Sequence, residues 1–326
     1  MNLLVVGGAG YVGSVVAARL LEAGHAVTVA DSLLTGHRDA VPSEARFVAG
    51  DLADEAALGE LLAAGFDAVL HFAALSIVPE SVAQPARYYR ANVGGTLNLL
   101  DAMRSAGVTR LVFSSTASVY GEPDEIPIAE DAPTRPTNPY GASKLAADHA
   151  IGFECAAGGL GAVSLRYFNV AGAYGPYGER HDPETHLVPL LLEAGLRDEE
   201  ADPVRIYGRD YPTPDGTAVR DYIHVRDLAD AHLLALEATA EPGHRVYNLG
   251  NGRGFSVQEV VEAARTVTGR TIPAVDAPRR LGDPPVLVAS SELIRRELGW
   301  APETPELDAI VADAWAWLAG RSGQRG

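Results

Sequence analysis

An α/β fold on a doubly wound parallel sheet, with a smaller C-terminal α/β region, is predicted by three features of the chain. Short β-rich runs alternate with helical stretches through residue 173, the spacing of βαβ units covered on both faces. A glycine-rich turn, VVGGAGYVGS at 5–14, joins the first run to the first helix. From 174 to 218 the rhythm breaks, and Gly, Pro, Asp and Tyr crowd the chain.

Taken in order, NLLVV at 2–6 reads as the first strand, and 12–23 as a helix closed by Gly24. Strands follow at 26–30 (AVTVA), 45–50 (ARFVAG) and 67–74 (DAVLHFAA), then a helix over 85–106. RLVFSS at 110–115 is the next strand. Asn138 and Pro139 then stand as N-cap and first residue of a helix, because proline lacks the N–H that would be orphaned there. AVSLRYF at 162–168 closes the alternating part. The second region holds a helix over 187–197, and strand and helix character resumes in DYIHVRDLADAHLLALEAT and RVYNLG. SVQEVVEAARTVTG opens with Ser256 and Glu259 at capping-box spacing and reads as an amphipathic helix. The polar tail 321–326 is expected to fray. The predicted division is a dinucleotide-binding domain over 1–173 and a substrate domain over 174–326, with part of 219–249 packing back on the first.

At 326 residues and 34.3 kDa, 47% hydrophobic and 21% charged, the chain has ordinary globular composition and room for a large core. A net charge of −17 disfavours nucleic acid or an anionic membrane as partner through any broad basic field. The single cysteine, Cys155, excludes an internal disulfide framework and a multi-cysteine metal site, and fits a reducing cytoplasm. The opening MNLLVVGGAG has no basic flank and is broken by glycine after six residues, so it reads as neither signal peptide nor membrane span.

Gly7, Gly10 and Gly13 permit a tight turn and close approach of backbone to a pyrophosphate resting on a helix N-terminus, the Rossmann-type arrangement. Asp31, at the end of the second strand, can accept from both hydroxyls of an adenosine ribose and would repel a 2′-phosphate, which favours NAD over NADP. Arg38 argues the other way. Asp51 can reach an adenine edge or serve as a turn residue. In NPYGASK, Tyr140 and Lys144 are an i,i+4 pair whose side chains share one helix face. Lys144 is also the one lysine among 26 basic residues, the others all arginine. A compact ammonium kept at that place suggests a chemical duty, since a guanidinium is planar and longer. A free tyrosine, with a pKa near ~10, is a poor base at neutral pH unless positive charge stands beside it.

The spacing of these glycines, with GDL at 50–52, HFAA at 71–74, SSTASVYG at 114–121 and the Tyr140/Lys144 pair, resembles the extended short-chain dehydrogenase/reductase family. RYFNVAGA, ETHLVP, YPTPDGTAVRDYIHVRDLA and RRLGDP are similar to the UDP-glucose 4-epimerase family within it, and the motifs extend to about residue 300. The resemblance implies catalysis by Thr116, Tyr140 and Lys144: Tyr140 takes the sugar 4-hydroxyl proton as C4 gives hydride to NAD, Lys144 holds the nicotinamide ribose, and Thr116 orients the hydroxyl. NAD would lie against Gly7, Gly10, Tyr11, Val12 and Gly13. Further along it would meet Asp31, Ser32, Leu33, Thr35 and Gly36, then Asp51 and Leu52, then Phe72, Ala73 and Ala74, with Asn92 and Phe168 beyond. The UDP-sugar would meet Asn169, His186, Leu187, Arg205, Ile206 and Tyr207, with Arg220 and Arg280 on the diphosphate and Asp283 on a ribose. Leu287, four after that aspartate, would border the sugar C2 substituent and leave a pocket of intermediate size. A homodimer is implied as well.

No metal is expected: HDPETH at 181–186 lacks the helical i,i+4 spacing of a histidine pair. One departure from the family is Leu75 and Ser76, where a lysine often stands. A 4,6-dehydratase would need an acid and a base directly after Thr116, and the chain has Ala117 and Ser118. A 4-epimerase of another UDP-sugar (N-acetylglucosamine, glucuronate or xylose) is a further alternative. A non-catalytic NAD sensor would have no need for Thr116, Tyr140 and Lys144 together.

Overall fold

The computed structural model describes residues 1–197, 202–280 and 283–322. Strand β1 (Asn2–Val6) leads through the glycine turn into helix α1 (Tyr11–Glu22), followed by β2 (Ala26–Asp31), β3 (Arg46–Ala49), α2 (Glu55–Leu62) and β4 (Ala68–His71). Two short helices, α3 (Val78–Ala83) and α4 (Pro85–Tyr88), precede a π-helical stretch, Tyr89–Gly94, and α5 (Gly95–Ala106). The predicted helix over 85–106 is therefore three segments. β5 (Arg110–Thr116), α6 (Pro139–Ala157) and β6 (Gly161–Tyr167) complete the alternation.

These strands and a later one, given below, make a seven-stranded parallel sheet in which β1 lies between β2 and β4. Chain order reverses beside β1, and in open parallel sheets a crevice forms at such a switch point beyond the carboxyl ends of the strands. The strands alternate by face. In β1, Leu3 and Val5 join a core with Val15 and Val16 of α1, whereas Leu4 and Val6 face the opposite core with Leu99 of α5 and Ile151 of α6.

Beyond β6 come the short strands β7 (Asn169–Ala171), β8 (Ala173–Tyr174) and β9 (Tyr177–Gly178), then α7 (Leu187–Arg197), β10 (Val204–Tyr207) and β11 (Val219–His224). The chain then returns to the first layer. Helix α8 (Val225–Ala238) packs on α1, where Arg19 pairs with Asp230 at 2.7 Å, and β12 (Gly243–Leu249) becomes the seventh strand beside β6. It leaves again through β13 (Gly254–Ser256), α9 (Val257–Thr268), β14 (Ala274–Ala277) and β15 (Val286–Leu287), and ends with α10 (Glu292–Leu298) and α11 (Leu307–Ser322). Ser256 and Glu259 form both halves of the expected capping box. Helix α8 and strand β12 thus lie with the first layer, as does α10, whose Ile294 shares the core of α1. Residue 321 and the backbone of 322 are helical rather than frayed; 323–326 lie outside the described residues.

The second region has its own core, in which Leu191 of α7, Val260 of α9 and Ile310 of α11 meet Ile206 and Ile272. β11 links the layers: it pairs with β7, Tyr222 opposite Asn169, and at its other end with β15, Arg220 opposite Leu287.

Candidate active site

A cleft of about 1040 Å³ runs along the carboxyl ends of the sheet strands and under the second region. At one end lies the glycine turn. Gly7 has φ +81°, and a Cβ there would drive into the backbone of Ala73; one on Gly13 would strike the carbonyl of Gly7. The N-cap of α1, Gly10, offers no side chain to the first helical N–H groups. Those donors are left for a ligand, and the dipole favours an anion. Asp31 accepts from the N–H of Ala9 at 2.9 Å and of Leu33 at 2.8 Å, so its carboxylate is fixed while both oxygens keep lone pairs for ribose hydroxyls. Gly36 comes so close that a Cβ would stand 2.9 Å from Asp31 Oδ1. Tyr11, Val12, Ser32, Thr35, Asp51, Leu52, Phe72, Ala73 and Ala74 line the same trough, as do Phe168 and, further in, Asn169. Backbone cradle, helix end and fixed carboxylate together fit a dinucleotide. Asp51 also serves its turn, accepting from Ala53 N–H at 2.9 Å. Arg38 lies over the Phe47 ring, 4.5 Å from its centroid, and is not among the side chains that line the cleft.

Asn138 caps α6 through its side chain, accepting from Gly141 N–H at 2.9 Å. A Cβ on Gly141 would collide with the Ser118 carbonyl, so the helix start rests directly on the segment after β5. That contact brings Thr116 and Tyr140 together on the cleft wall. Burial raises the Tyr140 pKa and the Thr116 side chain pulls it down. Lys144 is 2% exposed, with Nζ 4.2 Å from the centroid of the Phe113 ring. Burial lowers its pKa to about 8, against the pull of Asp148. Asp148 accepts from Ser115 Oγ at 3.0 Å and from Arg166 Nε at 3.2 Å, and Arg166 donates to Tyr120, which donates to Asn248. This buried chain ties β5, α6, β6 and β12 together beneath the site.

Opposite stand His186, Leu187, Arg205, Tyr207, Arg220, Arg280, Asp283 and Leu287. Arg220 pairs with Asp283, the Arg280 guanidinium lies 4.1 Å from the centre of the Tyr207 ring, and Leu287 packs beside the buried Val119, Tyr120 and Ile128.

Three expected residues do not reach the cleft. Ile206 is 1% exposed in the second core, because strand alternation turns Arg205 and Tyr207 to the cleft and Ile206 away. Asn92 spends its amide inside the protein, accepting from Leu75 N–H at 2.8 Å and donating to Leu75 O at 3.0 Å and Ser143 Oγ at 2.9 Å; it positions rather than lines. Leu33 packs against the core of α1. Tyr167, at the end of β6 and hydrogen bonded to Ser114, lines the cleft and was not foreseen, since its strand pattern reads as core. The loop of HDPETH also departs from expectation. Without helical spacing it still brings Glu179, His181, Glu184 and His186 together, each offering one ligand atom within 4.8 Å of the others. Sequence spacing missed this because the loop doubles back, so donors two to seven residues apart converge.

A cleft of this kind defines a class, an enzyme that works on a polar substrate beside a bound dinucleotide. The NAD dependent epimerase/dehydratase family matches residues 3–250, and the chain belongs to that family, with NAD as its cofactor. It is 58% identical over 321 residues to a UDP-glucose 4-epimerase of Corynebacterium glutamicum, covering 98% of this chain and 96% of that one. To the UDP-glucose 4-epimerase of Streptomyces lividans it is 59% identical over 316 residues, covering 96% and 95%. Among solved structures it superimposes on the Bifidobacterium longum UDP-glucose 4-epimerase in complex with NAD+ and UDP with a TM-score of 0.93, at 37% identity over 99% of each chain.

Proposed function

We propose that the protein interconverts UDP-glucose and UDP-galactose by transient oxidation at sugar C4. One observation carries this reading: Thr116, Tyr140 and the buried Lys144 line the same stretch of the cleft, and Ala117 and Ser118, neither an acid nor a base, stand directly after Thr116. The similarity to UDP-glucose 4-epimerases over nearly the whole chain supports the substrate. A carbinol C–H is not acidic, so its configuration cannot be inverted by simple deprotonation. NAD, when bound, supplies the hydride acceptor and donor that makes inversion feasible. Tyr140 takes the proton from the 4-hydroxyl and returns it after the keto sugar has turned over. Thr116 orients that hydroxyl. Lys144 supplies positive charge beside the phenol and a donor for a ribose. Arg220 and Arg280, cationic forks at the far wall, hold the diphosphate while the sugar rotates.

In this reading residues 1–173 bind NAD and 174–326 the UDP-sugar, with 225–249 completing the first unit. We also read the enzyme as a cytoplasmic homodimer. Among the described residues no helix is long and apolar enough to cross a membrane, and the free Cys155 is buried. Leu97 on α5 and Phe153 on the adjoining α6 are 45% and 77% exposed, apolar side chains that a second copy would cover; light scattering on purified protein tests it.

The activity test is incubation with UDP-galactose and, in parallel, with UDP-N-acetylglucosamine, UDP-glucuronate and UDP-xylose, without added cofactor, followed by chromatographic separation of nucleotide sugars. UDP-glucose at equilibrium with UDP-galactose is expected. A dehydrated keto-deoxy sugar, or turnover of UDP-N-acetylglucosamine, UDP-glucuronate or UDP-xylose in preference, would contradict the proposal.

A further inference from the structure

Four side chains between residues 179 and 186 converge on the cleft wall, and the proposed reaction makes no use of them as a group. His186 Nδ1 lies 2.8 Å from Glu179 Oε1 and 2.9 Å from Glu184 Oε1. His181 Nδ1 lies 3.1 Å from Glu179 Oε1 and 3.9 Å from Glu184 Oε2. Ligands held tetrahedrally ~2.0–2.2 Å from a zinc ion stand roughly 3.3–3.6 Å from one another, so small side-chain movements would close this set around one ion. Both carboxylates are buried, with 8% of the Glu179 side chain and 5% of the Glu184 side chain exposed, and their ion-pair partners among the described residues are the two histidines.

An independent sign comes from Glu184. Its Oε1 is occupied by the N–H groups of Thr185 at 2.7 Å and His186 at 2.8 Å, which fixes the carboxylate in place. Its Oε2 is buried and has no hydrogen-bond partner, although it faces His181. A buried acceptor without a hydrogen-bond donor is costly. Tyr11, near enough to feel both carboxylates, does not donate to it, because its hydroxyl donates to Gly172 O at 2.7 Å.

We infer that Glu179, His181, Glu184 and His186 form a binding site for one divalent transition-metal ion of the zinc class. Two imidazole nitrogens and two carboxylates make a mixed set that suits zinc or cobalt, whereas magnesium and calcium take oxygen alone. The charge of the ion neutralises the two buried carboxylates. The same segment is held to the cofactor side, where Arg180 O meets His37 Nε2 at 2.9 Å and Arg180 pairs with Asp39, and it leads directly into α7. A bound ion therefore pins the wall between the NAD trough and the second region.

The test uses NAD-loaded enzyme without a polyhistidine tag, treated with chelator and then titrated with Zn²⁺ by calorimetry and with Co²⁺ by visible absorption. One equivalent per chain is expected, with the intense visible bands of four-coordinate Co²⁺, erased as Zn²⁺ displaces it. His181→Asn and Glu184→Gln, checked for retained NAD and cooperative unfolding, should each bind at least about tenfold more weakly. Absence of stoichiometric binding, a six-coordinate Co²⁺ spectrum, or variants that bind like the wild type would overturn the site. Should both variants misfold, the wild-type Co²⁺ spectrum decides alone.

Discussion

Burial pushes the Lys144 ammonium down to about 8, and Asp148, one turn along α6, works against it. Its charged form is therefore present below about pH 8 and lost above. If that charge supports the Tyr140 phenolate, kcat/KM should fall as pH climbs through that value, and Lys144→Arg should be impaired yet lose this alkaline limb, since a guanidinium stays charged. An unchanged limb in the variant would assign it to another group. Tyr140→Phe should cost ~10²–10⁴-fold in turnover while leaving UDP-sugar affinity near wild type, the size usual for a lost acid–base group. Equilibrium binding and steady-state rates measure the two separately. At Leu287, on the wall beside Arg220, the side chain is smaller than a tyrosine and can change rotamer. UDP-N-acetylglucosamine should be turned over, more slowly than UDP-glucose. Leu287→Tyr should suppress the N-acetyl substrate selectively and Leu287→Ser should raise it; parallel changes on both sugars would remove Leu287 from the C2 pocket.

At the scale of elements, the site depends on α6 being seated on the end of β5, and the buried pair of Asp148 and Arg166 holds that junction at side-chain exposures of 1% and 8%. Removing one partner leaves an uncompensated charge, so Asp148→Ala should lose ~3–5 kcal/mol of unfolding free energy in urea titration. A loss under ~1 kcal/mol would mean the pair is not what secures the helix. Elements with a strong local signal were legible in the sequence: β1 through its apolar run, α6 through Asn138 and Pro139, α9 through its capping box. Others were not. The helix over 85–106 hides a π-helical stretch because an extra residue per turn leaves no mark in composition. α10, seven residues long, is too short to show a period, and α11 escaped notice.

For the whole molecule, the parallel sheet and the cofactor trough could be read from spacing because glycine, aspartate and strand fall in fixed order along the chain. The far wall could be read only through family motifs, since Arg220 and Leu287 come together by long-range pairing of β11 with β15 and Arg280 stands over the Tyr207 ring of β10. Strand alternation, which the motifs do not encode, turned Ile206 inward, and loop geometry gathered the four donors at 179–186. The central claim is that a hydride leaves C4 and returns to the same carbon from the other side, with NAD regenerated in each cycle. The measurement that tests it most directly is turnover of UDP-galactose deuterated at C4, by enzyme carrying only the NAD it was purified with. Deuterium retained at C4 of the UDP-glucose formed, with none in water and no net NADH, is the predicted result. Deuterium washed out into solvent, or a requirement for added NAD in proportion to product, would contradict it.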